Sequence, residues 1–426
     1  MQQMIRKTLG DGVQLTIVPS ARFKTSVMSA CLVLPLGGEE ASARAALPRV
    51  LRRGTAAYPD MQQLGAALDE LYGARIEPIV RKRGESLILG FLADVIDEKY
   101  AAADDTGLTA RAVDLLASFW QTPYIKDGAF APEYVASEKE NLADRIEALK
   151  NDPRSYALRR LHEVMCEGEP FGLSEYGTAP GARALTPETL YTAYRHALED
   201  ACIELFYCGS MPPDTVEDAF SRALTARSQG TYAMPRTEVR AQPAGEVRTV
   251  VEEMNVRQGK LSLGFRTGVT GADEDYAALM LLNNAFGGST SSRLFLNVRE
   301  KRSLCYYASS TLERQKGILS VTSGIENENF EVARDEILRQ LADLQSGGLT
   351  DEEVETARRT VRSALRSMQD SPVSLQQFWL GQAVEGLDWD VDALMARIER
   401  VTRAEMLAVA GKIKLDTIYF LKGVGA

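Results

Sequence analysis

The sequence predicts an α+β protein built from two homologous halves, each a largely antiparallel sheet packed with helices. Three observations carry this expectation. Strand-like runs come first and helical runs follow, the order expected of layered α+β domains. The same order starts again after residue 248. The two runs have similar length, about 200 residues each, which reads as an internal duplication.

The elements follow from local pattern. "VQLTIVP" (13–19) and "SVMSACLVLPLG" (26–37) are β-branched, apolar and closed by turn signals. Helical patterns cover 41–54 and 60–72. "RIEPIVRKRGESLILGFLAD" (75–94) reads as a hairpin turning at Arg83-Gly84. Helices are expected at 97–119, 132–150, 153–166 and 185–200, the last with Thr186 as cap and Pro187 in the first turn. "CIELFYCG" (202–209) is an apolar strand. The stretch 228–248 is polar and rich in Pro and Gly, as linkers are. Beyond it come a strand at 260–269, a helix at 273–287, a hairpin ending at 318–325, helices at 329–346, 350–369, 373–384 and 402–411, and a last strand at 417–423. The expected division is 1–228, a linker at 229–248, and 249–426.

Bulk properties exclude several classes. A net charge of −10, with 49 basic among 59 acidic residues, speaks against nucleic acid as main partner. No stretch approaches the ~20 apolar residues of a membrane span, and no signal-peptide run precedes Asp11-Gly12. The five cysteines, at 31, 166, 202, 208 and 305, form no Cys-x-x-Cys. They are expected to be reduced and buried, in a cytoplasmic protein. "GGSTSS" lacks the Gly-x-x-x-x-Gly-Lys of a phosphate loop. The only histidines, His162 and His196, stand apart and are expected to be surface or hydrogen-bonded residues. No nucleophile–base pair is apparent. Cys202 and Cys208 read as strand residues.

One segment is anomalous. "PLGGEEASARAALPRVLRRGT" (35–55) reads as a helix with Pro48 in its interior, where proline costs about 3 kcal/mol. The segment resembles the pitrilysin/insulinase family of inverted zinc metallopeptidases, which includes the mitochondrial processing peptidase. Active members carry His-x-x-Glu-His on a helix, followed a few residues later by Gly-Thr. With Gly54-Thr55 as the anchor, Ala45 and Arg49 fall at the histidine positions and Pro48 at the glutamate. A catalytic zinc needs three protein ligands and an open position, and the glutamate is the base. Alanine cannot ligate, arginine repels the ion, and proline has no base. In "SEKENLADRIEALKNDP" (137–153), Glu140 and Glu147 are seven apart and share a helix face. The resemblance places Glu147 at the third ligand position, while the residues alone read as a solvated charged face.

The second half resembles the family more closely. "FGGSTSSRLFLNVREKRSLCYYASS" (286–310) matches the Gly-Gly…Ser-Ser-Arg-Leu-Phe…Arg-Glu-Lys…Tyr segment. In active members an arginine and a tyrosine seven residues later contact substrate across the clamshell from zinc, and Arg299 and Tyr306 match that pair. The resemblance thus implies two metallopeptidase-like domains forming a clamshell half, with no cofactor of their own. It implies a non-catalytic subunit that binds peptide and works with a zinc-bearing homologue, or as a homodimer. The competing expectation is a scaffold without a role in proteolysis.

Overall fold

The computed structural model describes residues 4–224, 230 and 232–424. Residues 225–229 and 231, which include parts of the expected linker and its boundary, lie outside the described residues. The first half runs β1 (Ile5–Gly10), β2 (Val13–Pro19), β3 (Thr25–Pro35), α1 (Ala41–Leu51), α2 (Met61–Glu70), β4 (Arg75–Arg83), β5 (Ser86–Ile96) and α3 (Leu108–Gln121). A two-strand ribbon, β6 (Ile125–Lys126) with β7 (Ala129–Phe130), leads to α4 (Pro132–Ala148) and α5 (Pro153–Met165). Then come α6 (Ala179–Arg183), α7 (Pro187–Asp200), β8 (Cys202–Gly209) and α8 (Pro213–Ala223). The second half runs β9 (Arg248–Met254), β10 (Gly259–Arg266), α9 (Tyr276–Asn283), β11 (Tyr307–Glu313), β12 (Ile318–Ile325), α10 (Phe330–Gln345), α11 (Asp351–Met368), α12 (Pro372–Glu385), α13 (Val391–Arg400), α14 (Arg403–Ala410) and β13 (Lys414–Gly423). Wide-turn helical segments at Asn284–Gly288 and Leu294–Lys301 lie between α9 and β11.

The duplication is visible in the strand order. The first sheet runs β1-β2-β8-β3-β5-β4 and the second β9-β13-β10-β12-β11. With β1 set aside, the two match strand for strand. Each has one parallel pair, β2 with β8 and β9 with β13, and is otherwise antiparallel. The expected α+β class with largely antiparallel sheets is what the chain adopts.

The compact units do not follow a single cut in sequence. One comprises Met1–Glu147, Ser174–Arg236 and Gln369–Asp388; the other comprises Ala148–Leu173, Thr237–Met368 and Trp389–Ala426. Each half therefore donates one helix to the other half's sheet, α5 in one direction and α12 in the other. In the first unit, Leu380 and Val384 of α12 pack with Cys31, Val33, Ile79, Ile88 and Cys202 of the sheet. Almost every side chain of α12 from Leu375 to Val384 is buried, as expected of a helix apolar all round. Gln376 donates its amide N–H to Ser29 Oγ at 3.1 Å. In the second unit, Ala157 and Leu161 of α5 pack with Tyr419 and Leu421.

Several elements depart from the sequence pattern. The helix expected over 97–119 is a short turn at Glu98–Tyr100, a loop, and then α3. Gly107 takes φ +80° before α3, a conformation that glycine adopts without strain. Glu98 supplies the carboxylate that caps this helix, accepting from Gly107 N at 2.7 Å and Thr109 N at 2.9 Å. α8 and the strands β1 and β9 carry few apolar residues in sequence, and α13 is amphipathic but not among the expected helices. β9 begins at Arg248, where the pattern had placed the end of a linker.

The deepest polar feature lies in the second unit. Arg266 on β10, 1% exposed, grips Glu169 with both guanidinium nitrogens, at 2.7 and 3.2 Å, and donates Nε to Asp416 at 3.0 Å. Lys316, fully buried, reaches the same glutamate at 2.7 Å and Glu238 O at 2.6 Å. Arg240 approaches from the surface at 3.4 Å. Burial pushes the Glu169 carboxyl up, but hydrogen bonds and charge from Arg266 and Lys316 outweigh it and hold its pKa below the ordinary 4.5. Removing one partner of a buried pair costs about 3–5 kcal/mol. Glu169→Gln should therefore lower the melting temperature markedly at neutral pH. A group with a depressed folded pKa stabilises above its unfolded pKa and loses that contribution as pH falls through the folded value. The stability gap between wild type and Glu169→Gln should shrink as pH drops below 4.5, measured by thermal melts across pH. A gap that is constant with pH would refute this assignment.

Candidate functional site

The anomalous helix is α1, and its interior contains Pro48. Ala45, 1% exposed, faces the core with Ala46 and Leu47. Pro48 is buried too. Three of the helix-end arginines are committed. Arg44 pairs with Glu40 at 3.1 Å. Arg52 donates to Ile76 O at 2.8 Å and lies over the Phe119 ring. Arg53 binds Glu138 at 2.7 Å and Ser137 at 3.0 Å. Arg49 makes no hydrogen bond or ion pair among the described residues. Burial, and then the neighbouring Arg145, disfavour its charge, while Glu138 and Glu77 favour it.

Gly54-Thr55 persists for a packing reason. A Cβ on Gly54 would sit 2.5 Å from the Pro59 carbonyl oxygen. Thr55, fully buried, receives Tyr58 N–H on its hydroxyl at 3.2 Å, donates its own N–H to Tyr58 O at 2.9 Å, and bridges to Pro123. The anchor closes the turn after α1 whether or not the helix holds metal.

Glu140, Asp144 and Glu147 project from the exposed face of α4, and Arg183 at the end of α6 meets all three, at 3.4, 4.0 and 2.7 Å. The carboxylate that turns toward α1 is Glu138, nine residues before Glu147 and buried. Sequence reading had not singled it out. Its signal was its spacing, with Glu138 and Leu142 on the buried face of α4. Among the described residues, no three His, Cys, Asp or Glu converge as a metal site.

In the second unit, the Gly-Gly…Ser-Ser-Arg motif is built around Arg293. Its side chain, largely buried, binds Glu353 at 2.6 and 3.0 Å, the Gly348 carbonyl at 2.5 Å, and Asp343. Ser292 turns its hydroxyl onto Ser289 O at 2.6 Å. Arg299 lies on the following helical turn, 40% exposed, over the Phe295 ring and 3.4 Å from Glu300. Tyr306 is 64% exposed and donates its hydroxyl to Glu326 at 3.0 Å. That hydrogen bond and the glutamate's charge raise the phenol pKa. No bond joins Arg299 to Tyr306. They share the stretch of chain that leaves the helix and enters β11.

The remaining candidates have structural partners. His162 is buried and hydrogen-bonded to Ser320 at 2.9 Å, and His196 is exposed and bound to Glu40 at 2.7 Å. All five cysteines are buried and none forms a disulfide. Burial pushes Cys31 and Cys208 up to about 12 and Cys166 to about 11, so none of these three is poised as a thiolate.

Residues 184–361 match the family model described as Peptidase M16 inactive domain. The probable inactive metalloprotease YmfF of Bacillus subtilis is 35% identical over 419 residues, covering 98% of this chain and 97% of its own. The chain belongs to the M16 peptidase family. The M16 relatives include an uncharacterized zinc protease of Streptomyces coelicolor, SCO5738, 26% identical over 73% of this chain and 68% of its own. A conserved protein from Enterococcus faecalis has the same fold, with a TM-score of 0.89 at 27% identity and 99% of each chain covered. The inverted-zincin family expected from sequence is thus the right one, and this chain is an inactive M16 homologue. The purified protein should carry far less than one zinc per chain by elemental analysis. Stoichiometric zinc that survives gel filtration would overturn the reading of Ala45, Pro48 and Arg49.

Proposed function

We propose that this chain is the non-catalytic subunit of a two-subunit zinc peptidase, binding peptide and lending Arg299 and Tyr306 to a zinc-bearing homologue. One observation carries the proposal. The zinc motif is gone from α1, while the second-half segment keeps both side chains, and keeps them at the surface. An exposed arginine and a 64% exposed tyrosine contribute little to a core. Their retention in a chain without its own chemistry is explained by contact with something outside the fold.

The chemistry follows from the groups. A guanidinium fork donates charge-assisted hydrogen bonds to a peptide carbonyl. The Tyr306 phenol, with its pKa raised beside Glu326, stays protonated near neutral pH and can donate as well. β4 ends its sheet and is paired on one side only. Its free side offers N–H and C=O groups to an extended peptide, with little demand on side chains. Pro78 within β4 suits an edge strand, since it has no N–H to give. A second reading, a scaffold without a role in proteolysis, is favoured by the local partners of the pair, Phe295 and Glu300 for Arg299 and Glu326 for Tyr306.

The test is co-expression with a zinc-bearing homologue from the same organism. Co-elution on size exclusion, and peptide cleavage that appears only in the mixture, are the expected results. A lost charge-assisted hydrogen bond is worth about 1.5–3 kcal/mol, and each ~1.4 kcal/mol is tenfold in rate. Arg299→Ala should therefore lower kcat/KM of the assembled complex by roughly 10–100-fold with the melting temperature nearly unchanged. Tyr306→Phe should cost less. An assembled Arg299→Ala complex that cleaves at the wild-type rate would put the scaffold reading ahead.

A further inference from the structure

A cavity of about 620 Å³ opens in the first unit where β3 begins and β5 ends, lined among others by Lys24, Tyr72, Arg75, Asp94, Ile96 and Tyr100. Its size suits a small organic ligand. Leu92, two residues before Asp94, packs against the cluster that includes α12. Asp94 follows on that face by strand alternation and stays half-buried, while Ile96 and Ala74 pack against the main core.

Three ionisable side chains here lack partners. Asp94 Oδ1 is closed off from solvent and has no hydrogen bond. The Lys24 ammonium and the Arg75 guanidinium make no hydrogen bond or ion pair among the described residues. Arg75 and Asp94 stand opposite each other in the β4–β5 register, yet the two do not pair. This contrasts with Arg44, Arg52 and Arg53 in and just after α1, each of which has a partner. A buried carboxylate oxygen without a donor is costly, and such a group calls for an explanation.

The aromatic residues are placed at a price too. Tyr72 follows α2 with φ +61°, in the left-handed region, and is followed by Gly73 at +71°. Glycine would hold that position without strain. The chain uses tyrosine instead and leaves it 44% exposed beside the cavity. The Tyr72 hydroxyl accepts the Ala102 N–H at 3.0 Å, which fixes the ring. Tyr100, 51% exposed, presents a second ring.

We propose that this cavity binds a small zwitterion of the α-amino acid or dipeptide class. The ligand's ammonium would meet Asp94, its carboxylate would lie between Lys24 and Arg75, and its side chain would rest on Tyr72 and Tyr100. The pattern of charges selects this class over a nucleotide. Both have an anion for the two cations and a flat or apolar part for the rings. Only the zwitterion brings a cation, which gives Asp94 Oδ1 the donor it lacks. The site is independent of any partner subunit, so its test stands apart from the test of assembly.

The experiment is calorimetric titration of the full chain with glycyl-tyrosine, its N-acetyl and C-amide derivatives, and adenosine monophosphate. Glycyl-tyrosine should bind with Kd below about 1 mM. N-acetylation and Asp94→Asn should each weaken it about tenfold or more, the loss expected of one charged hydrogen bond. Amidation and Arg75→Gln should act likewise through the carboxylate. Tyr100→Ala, which removes an exposed ring and leaves the sheet intact, keeps the test available if Asp94→Asn melts early; it should weaken binding several-fold. No binding of glycyl-tyrosine at millimolar concentration, equal binding of its N-acetyl form, or tighter binding of the nucleotide would each overturn the proposal.

Discussion

A single buried carboxylate, Glu169, commits a piece of the first half to the second unit. It follows α5 in sequence, yet its counter-charges, Arg266 and Lys316, come from β10 and from the turn between β11 and β12. Asp416 of β13 takes the third edge of the same guanidinium. None of these groups can be left alone at 0–6% exposure without a large desolvation cost. The ion cluster therefore sets where α5 must end. Apolar packing of Ala157 and Leu161 then fills the sheet face. The reciprocal helix, α12, uses a different device. It is buried nearly all round, and Gln376 donates one amide–hydroxyl bond to Ser29 of the sheet. The exchange of helices thus rests on charge in one unit and on apolar surface in the other.

The same distinction explains which family marks survive. Gly54-Thr55 and the Ser-Ser-Arg run are held by close backbone approach and by Arg293's hydrogen bonds to Glu353 and Gly348. These requirements are independent of zinc. On the proposed alignment, the positions that answer only to chemistry are 45, 48 and 49, and these carry Ala, Pro and Arg. Sequence signatures of an enzyme family therefore mix two kinds of information, and the loss of one leaves the other intact.

Much of the fold was legible because hydrophobic period and caps agree. The strands 13–19 and 202–209 carry continuous apolar runs, and α7 has Thr186 and Pro187 where a helix should begin. The repeat of strand order followed from the same runs. What escaped notice was polar. β9 alternates between exposed and half-buried residues, and no strand was expected over it. α13 carries only three fully buried side chains in ten residues. The charge cluster around Glu169 joins residues 97 and 150 positions apart, a distance no local pattern reports. The candidate site was half legible. The lost motif stands in a row along α1, but the buried Glu138 that faces α1 and the Arg183 that gathers Glu140 and Glu147 are seen only in three dimensions.

The loss of the metal motif did not require a new source of stability. In small zinc domains the metal supplies folding energy directly. Here the helix that would carry the ligands is already held by core packing. Leu47 and Leu51 are fully buried, and Ala45 at 1% exposure has joined them. A histidine at 45 would have to bring a polar ring into that wall; alanine brings none and leaves nothing unsatisfied. Pro48 costs one helical hydrogen bond in the last turns of an eleven-residue helix. Buried contacts and the Arg52 and Arg53 bonds at the helix end offset it. Arg49 keeps its guanidinium half-buried without a described partner. A fold that rests on its cores can shed its chemistry, and selection is then free to act on the charged groups that remain uncommitted at its surface.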